Sequence, residues 1–377
     1  MKFVINSGEL LSAMQTVTKA QTSKPTLPIL DCIRMEMTPD GLYLMAADAD
    51  QTITTTIPVN ESVGVGSSVC VPAQLLLSSL KELPDQPITF VCDDNSLACT
   101  LDFLNGKFNF VGQPANEFPT PIRELNNART LTLPSKALSQ GFANTKNSIA
   151  NDVLRPQMNG VYIDVQGNGY IGFVASDGHS LSRYNYHSDS QIENPFGFII
   201  PSKSINVLTV LLAKAKEDVT ITLNDTNFIT QVNGYTLSAR LVEGRYPNYN
   251  SVIPKDNPFN AQVERDALIS AVRRVLVFAN AASALIKFAF SQDEMIVSAQ
   301  DLDFSTSAEE HVLCEYSQDP ISIGFSGTML IDLLRQMPST TLNVAMADPS
   351  RAGIITPTQQ EEDADMLLLL MPMMLEA

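Results

Sequence analysis

The sequence predicts an α+β fold made three times, each copy carrying two helices on antiparallel sheet. Three observations predict it. Landmarks recur every 128 or 129 residues: Asn105-Gly106 with Asn233-Gly234, Phe118-Pro119 with Tyr246-Pro247, Ala46 to Asp48 with Ala175 to Asp177, and Val71-Pro72 with Ile200-Pro201. A weaker third copy places Ala299-Gln300-Asp301 another 124 residues on. Apolar residues make up 44% of a 377-residue chain, enough for a core in each of three units of common domain size.

Each unit begins with a helix. Ser7 is read as the cap of a helix with Leu10, Leu11, Met14 and Val17 on one face, and counterparts start near Ser135 and Glu264. In the third copy Leu268, Ile269, Val272, Val275 and Leu276 share a face. The second helices are placed at Pro72, at Pro201 and near Ser326, because proline suits a first helical turn. Strands are read at Ile88 to Cys92, Val219 to Leu223 and Leu342 to Ala345. The two Asn-Gly pairs are hairpin turns. Linkers fall near Phe118 to Asn127 and Tyr246 to Phe259, both rich in proline and asparagine. Gln359 to Asp365 reads as a solvated acidic loop.

Net charge is −17, which argues against a protein that coats nucleic acid with its whole surface. The charge is unevenly spread. Six helices drawn at 7–20, 72–84, 134–149, 201–216, 263–279 and 326–336 hold eleven basic and five acidic residues. That distribution suits helices facing a polyanion; ordinary helix propensity of Lys and Arg explains it equally well.

Ring geometry adds a constraint. A compact unit of this size is roughly 35 Å across. Three in a closed ring leave a hole of about 5 Å, and six leave about 35 Å. A duplex roughly 20 Å wide passes only the larger hole, so encircling DNA requires two chains.

Five scattered cysteines without ligand spacing point to a reduced, cytoplasmic protein. Met1-Lys2-Phe3 leads into a polar helix start, so no signal peptide is expected. Met366 to Leu375 is too short to span a membrane. No phosphate-binding glycine loop, dinucleotide fingerprint or zinc-protease helix occurs. Asp177-Gly178-His179-Ser180 sets an acid, an imidazole and a hydroxyl side by side, but triad members converge from separate elements, so a turn is the better reading. His187 and His311 read as surface residues, and no tryptophan is present for a base-stacking platform. No catalytic residue, metal or cofactor is assigned. The apolar terminus reads as a buried last strand followed by Met371-Pro372-Met373, which is either core or the lining of an adaptable groove.

Leu27-Pro28-Ile29-Leu30, Asp177-Gly178-His179, Glu243 to Tyr249 with Val252-Ile253-Pro254, and the closing Met371-Pro372-Met373 together resemble the bacterial sliding clamps, the beta subunits of DNA polymerase III. The resemblance runs the whole length in order. It implies three repeated DNA-clamp domains at 1–122, 128–247 and 252–377, closed by a second chain into a six-domain ring. It implies a processivity factor, not an enzyme. The implied partners are double-stranded DNA read without sequence preference, a second copy of the chain, the polymerase III catalytic subunit, a clamp loader and other proteins carrying clamp-binding motifs, with no membrane.

By position, the family's partner-peptide pocket maps to Met158, Ser176, Gly178, His179, Leu181, Pro247, Val252, Leu369, Leu370, Met371, Pro372 and Met373. The family's DNA-facing positions imply Lys24 and Arg155; Lys136, Lys146, Lys203, Lys214 and Lys216 are added for their charge on helices expected to line the hole. The implied dimer interface sets Lys107, Phe108 and Phe110 of an edge strand against Val277 and Phe278, with Glu309 and Glu310 facing Lys107. The chain departs from the family at Ser180, where many relatives carry arginine, at Asn250-Ser251 and Met374, where basic residues are common, and in the extra Glu376-Ala377.

Overall fold

A computed structural model describes the chain except for Thr26, 189–193 and 376–377. The extra Glu376-Ala377 therefore lies outside the described residues. Six α-helices occur among the described residues: α1 Ser7–Val17, α2 Ala73–Lys81, α3 Ser135–Ala143, α4 Ser202–Leu212, α5 Arg265–Leu276 and α6 Gly327–Leu334. They start where the repeat places them, with small shifts. Asn6, not Ser7, caps α1, its side chain accepting from the Gly8 amide at 2.9 Å, while Ser7 donates to the Pro84 carbonyl. Pro72 and Pro201 end strands just before α2 and α4 instead of opening the helices. The buried stripe of α1 is Leu10, Ala13, Met14 and Val17; Leu11 is only half-buried. Before α1, Lys2–Asn6 is a strand.

The chain divides into two compact units, and the second repeat contributes a sheet to each. The first unit is Met1–Leu138 with Asn206–Leu241. One of its sheets runs in the order Glu61–Val63, Lys2–Asn6, Pro87–Cys92, Ala98–Phe103, Gly106–Val111. The other has eight strands, and passes from the second repeat to the first where Tyr235–Arg240 pairs antiparallel with Gln51–Ile57. Helix α1 packs on α2 and on strands Gly41–Ala47 and Gln51–Ile57.

The second unit is Ser139–Ile205 with Val242–Ala377. Its twelve-stranded sheet passes from the second repeat to the third where Ser180–His187 pairs with Ala364–Leu370, in register from Ser180 with Leu370 to Tyr186 with Ala364. Helix α5 packs on α6 and on strands Glu294–Asp301 and Thr306–Glu315. Its N-cap is Glu264, which accepts from Asp266 and Ala267 amides. Continuing the eight- and twelve-stranded sheets from one repeat into the next satisfies strand edges that a separate domain would leave open.

Several local expectations change. The Asn233-Gly234 hairpin is as read, with both residues at positive φ (51° and 79°) between paired Val232 and Tyr235. The first hairpin is slipped by one: Phe103 pairs with Gly106, so the turn is Leu104-Asn105. A Cβ at Gly106 would lie 2.9 Å from the tip of the Phe103 ring, which would have to shift to admit a side chain. The segment read as a second linker is packed, since Tyr246 and Tyr249 are each only 6% exposed. The acidic loop ends early: Ala364–Leu370 is a strand, and Asp365 within it pairs with Arg183 at 3.1 Å and His187 at 3.2 Å.

Candidate peptide, DNA and dimer sites

The peptide-pocket residues gather where the second and third repeats share a sheet. Ser176 pairs with Leu181, Leu181 with Leu369, and Leu369 with Ile354. Cross-strand partners point to the same face. On that face Val174, Leu181, Ile199, Tyr246, Tyr249, Ala352, Ile354 and Leu369 form one apolar cluster, with Ile253 against it. Tyr162 stacks on Tyr246, ring centroids 4.8 Å apart, and Tyr249 donates to the Asp164 carboxylate at 2.7 Å. Burial raises the Tyr246 and Tyr249 phenols above their ordinary range, Asp164 adding to the effect at Tyr249. Around this floor His179, Pro247, Val252 and Met371 are exposed.

The turn at Asp177 is held by that residue's own carboxylate. One Asp177 carboxylate oxygen accepts from the His179 amide (2.8 Å), the Ser180 amide (2.6 Å) and the Ser180 hydroxyl (3.1 Å). Gly178 sits at φ +90°, a conformation glycine tolerates, with a Cβ position 3.0 Å from the Arg155 guanidinium. The turn presents the His179 carbonyl to the Met371 amide at 2.8 Å, which starts the tail on its path. Ser180, one of the expected departures from the family, is buried with its hydroxyl on Ser148 and Asp177.

Two sequence-derived members are placed differently from the cluster. Leu370 pairs with Ser180 and Gly353, so it lies on the opposite face of the ladder at 1% exposure. A charged substitution there reports on folding and not on the pocket. Met158 is buried in the short 3-10 turn Pro156–Met158, its amide bonded to the Arg155 carbonyl and its carbonyl to the Ala150 amide. Sequence reasoning missed Tyr162, Val174, Tyr246, Tyr249 and Ile354. A signal existed in Tyr170–Ser176, which is apolar without alternation and so must be covered on both faces.

Basic residues divide into two groups. Lys24 is exposed in the loop before the 3-10 turn Pro28–Asp31. Arg155 is exposed and bonds Asp152 at 2.8 Å. Lys136 and Lys203 are on α3 and α4, where burial lowers the Lys203 pKa. Lys146, Lys214 and Lys216 are not on α-helices: Lys146 opens the 3-10 turn Lys146–Ser148, and the other two lie beyond the end of α4. The folded helices are shorter than the apolar periodicity suggested. They keep six basic residues (Lys81, Lys136, Lys203, Arg265, Arg273, Arg274) against three acidic (Glu9, Asp266, Asp332), so the excess keeps its sign and halves its size.

Two of the open strand edges among the described residues carry the residues expected at the dimer interface. Gly106–Val111, carrying exposed Lys107 and half-buried Phe108 and Phe110, ends its sheet and pairs only with Ala98–Phe103. Thr306–Glu315 pairs along one side from Thr306 to Leu313, but along the other only at Cys314 and Glu315. The Thr306 hydroxyl bonds the Phe278 carbonyl, which sets Val277 (79% exposed) and Phe278 (42%) beside that open edge. Leu302 and Phe304, which the sequence did not single out, are exposed there too. Glu309 is exposed, whereas Glu310 turns to Arg274 of α5, whose guanidinium holds the Glu310 carboxyl below its usual range. The expected role of Glu310 opposite Lys107 thus meets a competing partner within its own chain.

This architecture defines a repeat-built scaffold of the clamp type, with an apolar cluster where two repeats share a sheet and open strand edges. Known proteins agree. Models of the DNA polymerase III beta subunit match its N-terminal domain at residues 1–122, its central domain at 132–248 and its C-terminal domain at 250–374. The beta sliding clamp of Synechocystis sp. is 27% identical over 381 residues, spanning 95% of this chain and 96% of that protein. That of Pseudomonas putida is 26% identical over 376 residues, spanning 100% of both. The crystal structure of a sliding clamp from Bartonella birtlesii bound to griselimycin superposes with a TM-score of 0.92 at 25% identity, covering 100% of both chains. The chain belongs to the DNA polymerase III beta subunit family, the bacterial sliding clamps. Its role is that of a processivity factor in DNA replication.

Proposed function

We propose that two copies of this chain, each divided as 1–122, 128–247 and 252–377, close a ring around duplex DNA in the cytoplasm without catalysing a reaction. The half-open strand Thr306–Glu315 carries this reading. An edge with unpaired amides and carbonyls beside exposed Val277 and Phe278 is an aggregation hazard unless something covers it. The other open edge, Gly106–Val111, is chemically suited to cover it, with Lys107 facing Glu309. One edge of each kind per chain makes two equivalent head-to-tail junctions and a closed two-fold ring. Opening such a ring requires a clamp loader. The apolar platform around Leu181 and Leu369 takes short peptides from the polymerase III catalytic subunit and other partners, and by the same reading it takes griselimycin.

The test is topological. Loaded onto a circular duplex, the protein stays in high salt and leaves when the circle is cut. Equal release from intact and cut circles overturns the ring, because salt weakens electrostatic contacts but not a topological link.

Contacts with DNA are to phosphates, because sliding forbids base readout. Lys24→Ala with Arg155→Ala should flatten the salt dependence of binding to linear duplex by about 1.8 in log–log slope, the equivalent of two phosphate contacts. An unchanged slope takes both residues off the DNA path.

A further inference from the structure

The chain leaves its last strand at Leu370, and the described residues beyond it turn back onto the protein. The Met371 amide bonds the His179 carbonyl, and the Met373 amide bonds the Gly324 carbonyl, both at 2.8 Å. Met373 and Gly324 form an antiparallel bridge. Gly324 lies in Ile321–Ser326, the strand that ends the twelve-stranded sheet. The tail thus returns to the sheet's own free edge and pairs with it at Gly324. Met373 and Leu375 are half-buried there, whereas Met374 between them is 83% exposed, the alternation of an added strand.

The contact depends on a missing side chain. A Cβ at Gly324 would stand 2.8 Å from a Leu375 methyl, 2.8 Å from the Met373 carbonyl oxygen and 2.9 Å from a Leu285 methyl. The two leucine methyls can rotate away. The Met373 oxygen is backbone of the bridge itself, so it moves only if the tail moves. The Gly324 φ is not positive, so backbone freedom is not the reason for glycine.

We propose that Gly324 is a positioning residue for the peptide pocket: its lack of a side chain lets Met373 and Leu375 dock, and docking holds Met371 to Met373 as a preformed pocket wall. This rests on the pocket reading above. A wall already ordered before binding spares the ligand the cost of ordering it. The glycine touches no partner itself and lies 47 residues from the tail's start at Met371.

The experiment pairs two readouts on the intact chain. Amide hydrogen exchange across Met371 to Leu375 reports docking without any ligand, and griselimycin titration reports the pocket. In Gly324→Ala, exchange at Met373 should rise toward that of a free tail, griselimycin affinity should fall about tenfold or more, and the solution mass should not change. Leu375→Asp releases the tail from the other side of the same contact, and decides the matter if Gly324→Ala does not fold. Exchange and affinity both at the native level in the folded variants overturn the positioning role. Failure of the native protein to bind griselimycin, with Met373 still protected, overturns the pocket reading instead and leaves the docking result standing.

Discussion

Replacing Val277 and Phe278 together by aspartate should convert the protein from a dimer of 41.1 kDa chains into monomers, and abolish its retention on circular DNA. Both side chains are exposed, so the single chain loses little by their removal. In the proposed ring both copies of each are buried, one at each junction. Burying a valine or phenylalanine is worth about 1.5–3 kcal/mol relative to exposure. The substitution removes that gain and sets two carboxylates against a partner surface that desolvates them. The neighbouring backbone also matters: the Phe278 carbonyl anchors Thr306, the first residue of the open edge. Sedimentation at micromolar concentration checks the mass, and far-ultraviolet circular dichroism checks that the chain still folds. A folded variant that remains dimeric places the interface elsewhere.

Deleting Met371 to Ala377 should remove the griselimycin and polymerase binding proposed for the platform while leaving the dimer intact. Leu369 and Leu370 stay in the sheet, each paired on both sides, so the strand Ala364–Leu370 does not depend on the residues beyond it. The deletion takes away two backbone bonds, to His179 and to Gly324, and the wall they position. A loss of about a hundredfold in affinity corresponds to about 2.7 kcal/mol, within reach of a few apolar contacts and a preformed wall. Calorimetry measures it. An unfolded truncated chain would instead assign the tail to the core, the alternative that its composition left open.

Much of this was legible in the residues. The residues located the starts of all six described helices to within two positions but ran several of them too far, because caps and apolar stripes are local signals. The hairpin at Asn233-Gly234 was legible because its turn needs positive φ at two positions. Less legible was anything set by contacts distant in sequence. Tyr246 and Tyr249 look like linker residues among prolines and asparagines, and only packing against Val174 and Leu369 makes them part of a platform. Lys214 and Lys216 look helical by periodicity, yet α4 stops at Leu212. Asp365 looks like the end of an acidic loop until Arg183 and His187 are seen across the ladder.

The sequence by itself determined the triplication, the starts of the helices and the family, since these rest on periodicity, turn chemistry and ordered motifs along the chain. The tertiary structure alone decided which face each residue serves. It set Leu369 in the cluster with Tyr246 and Tyr249 and Leu370 on the opposite face, divided the second repeat between two compact units, and carried the tail back to Gly324. The physical reason is register. Side chains alternate at every residue of a strand, so one step along the sequence reverses the face, and only the pairing partner, far away in the chain, says which face is which.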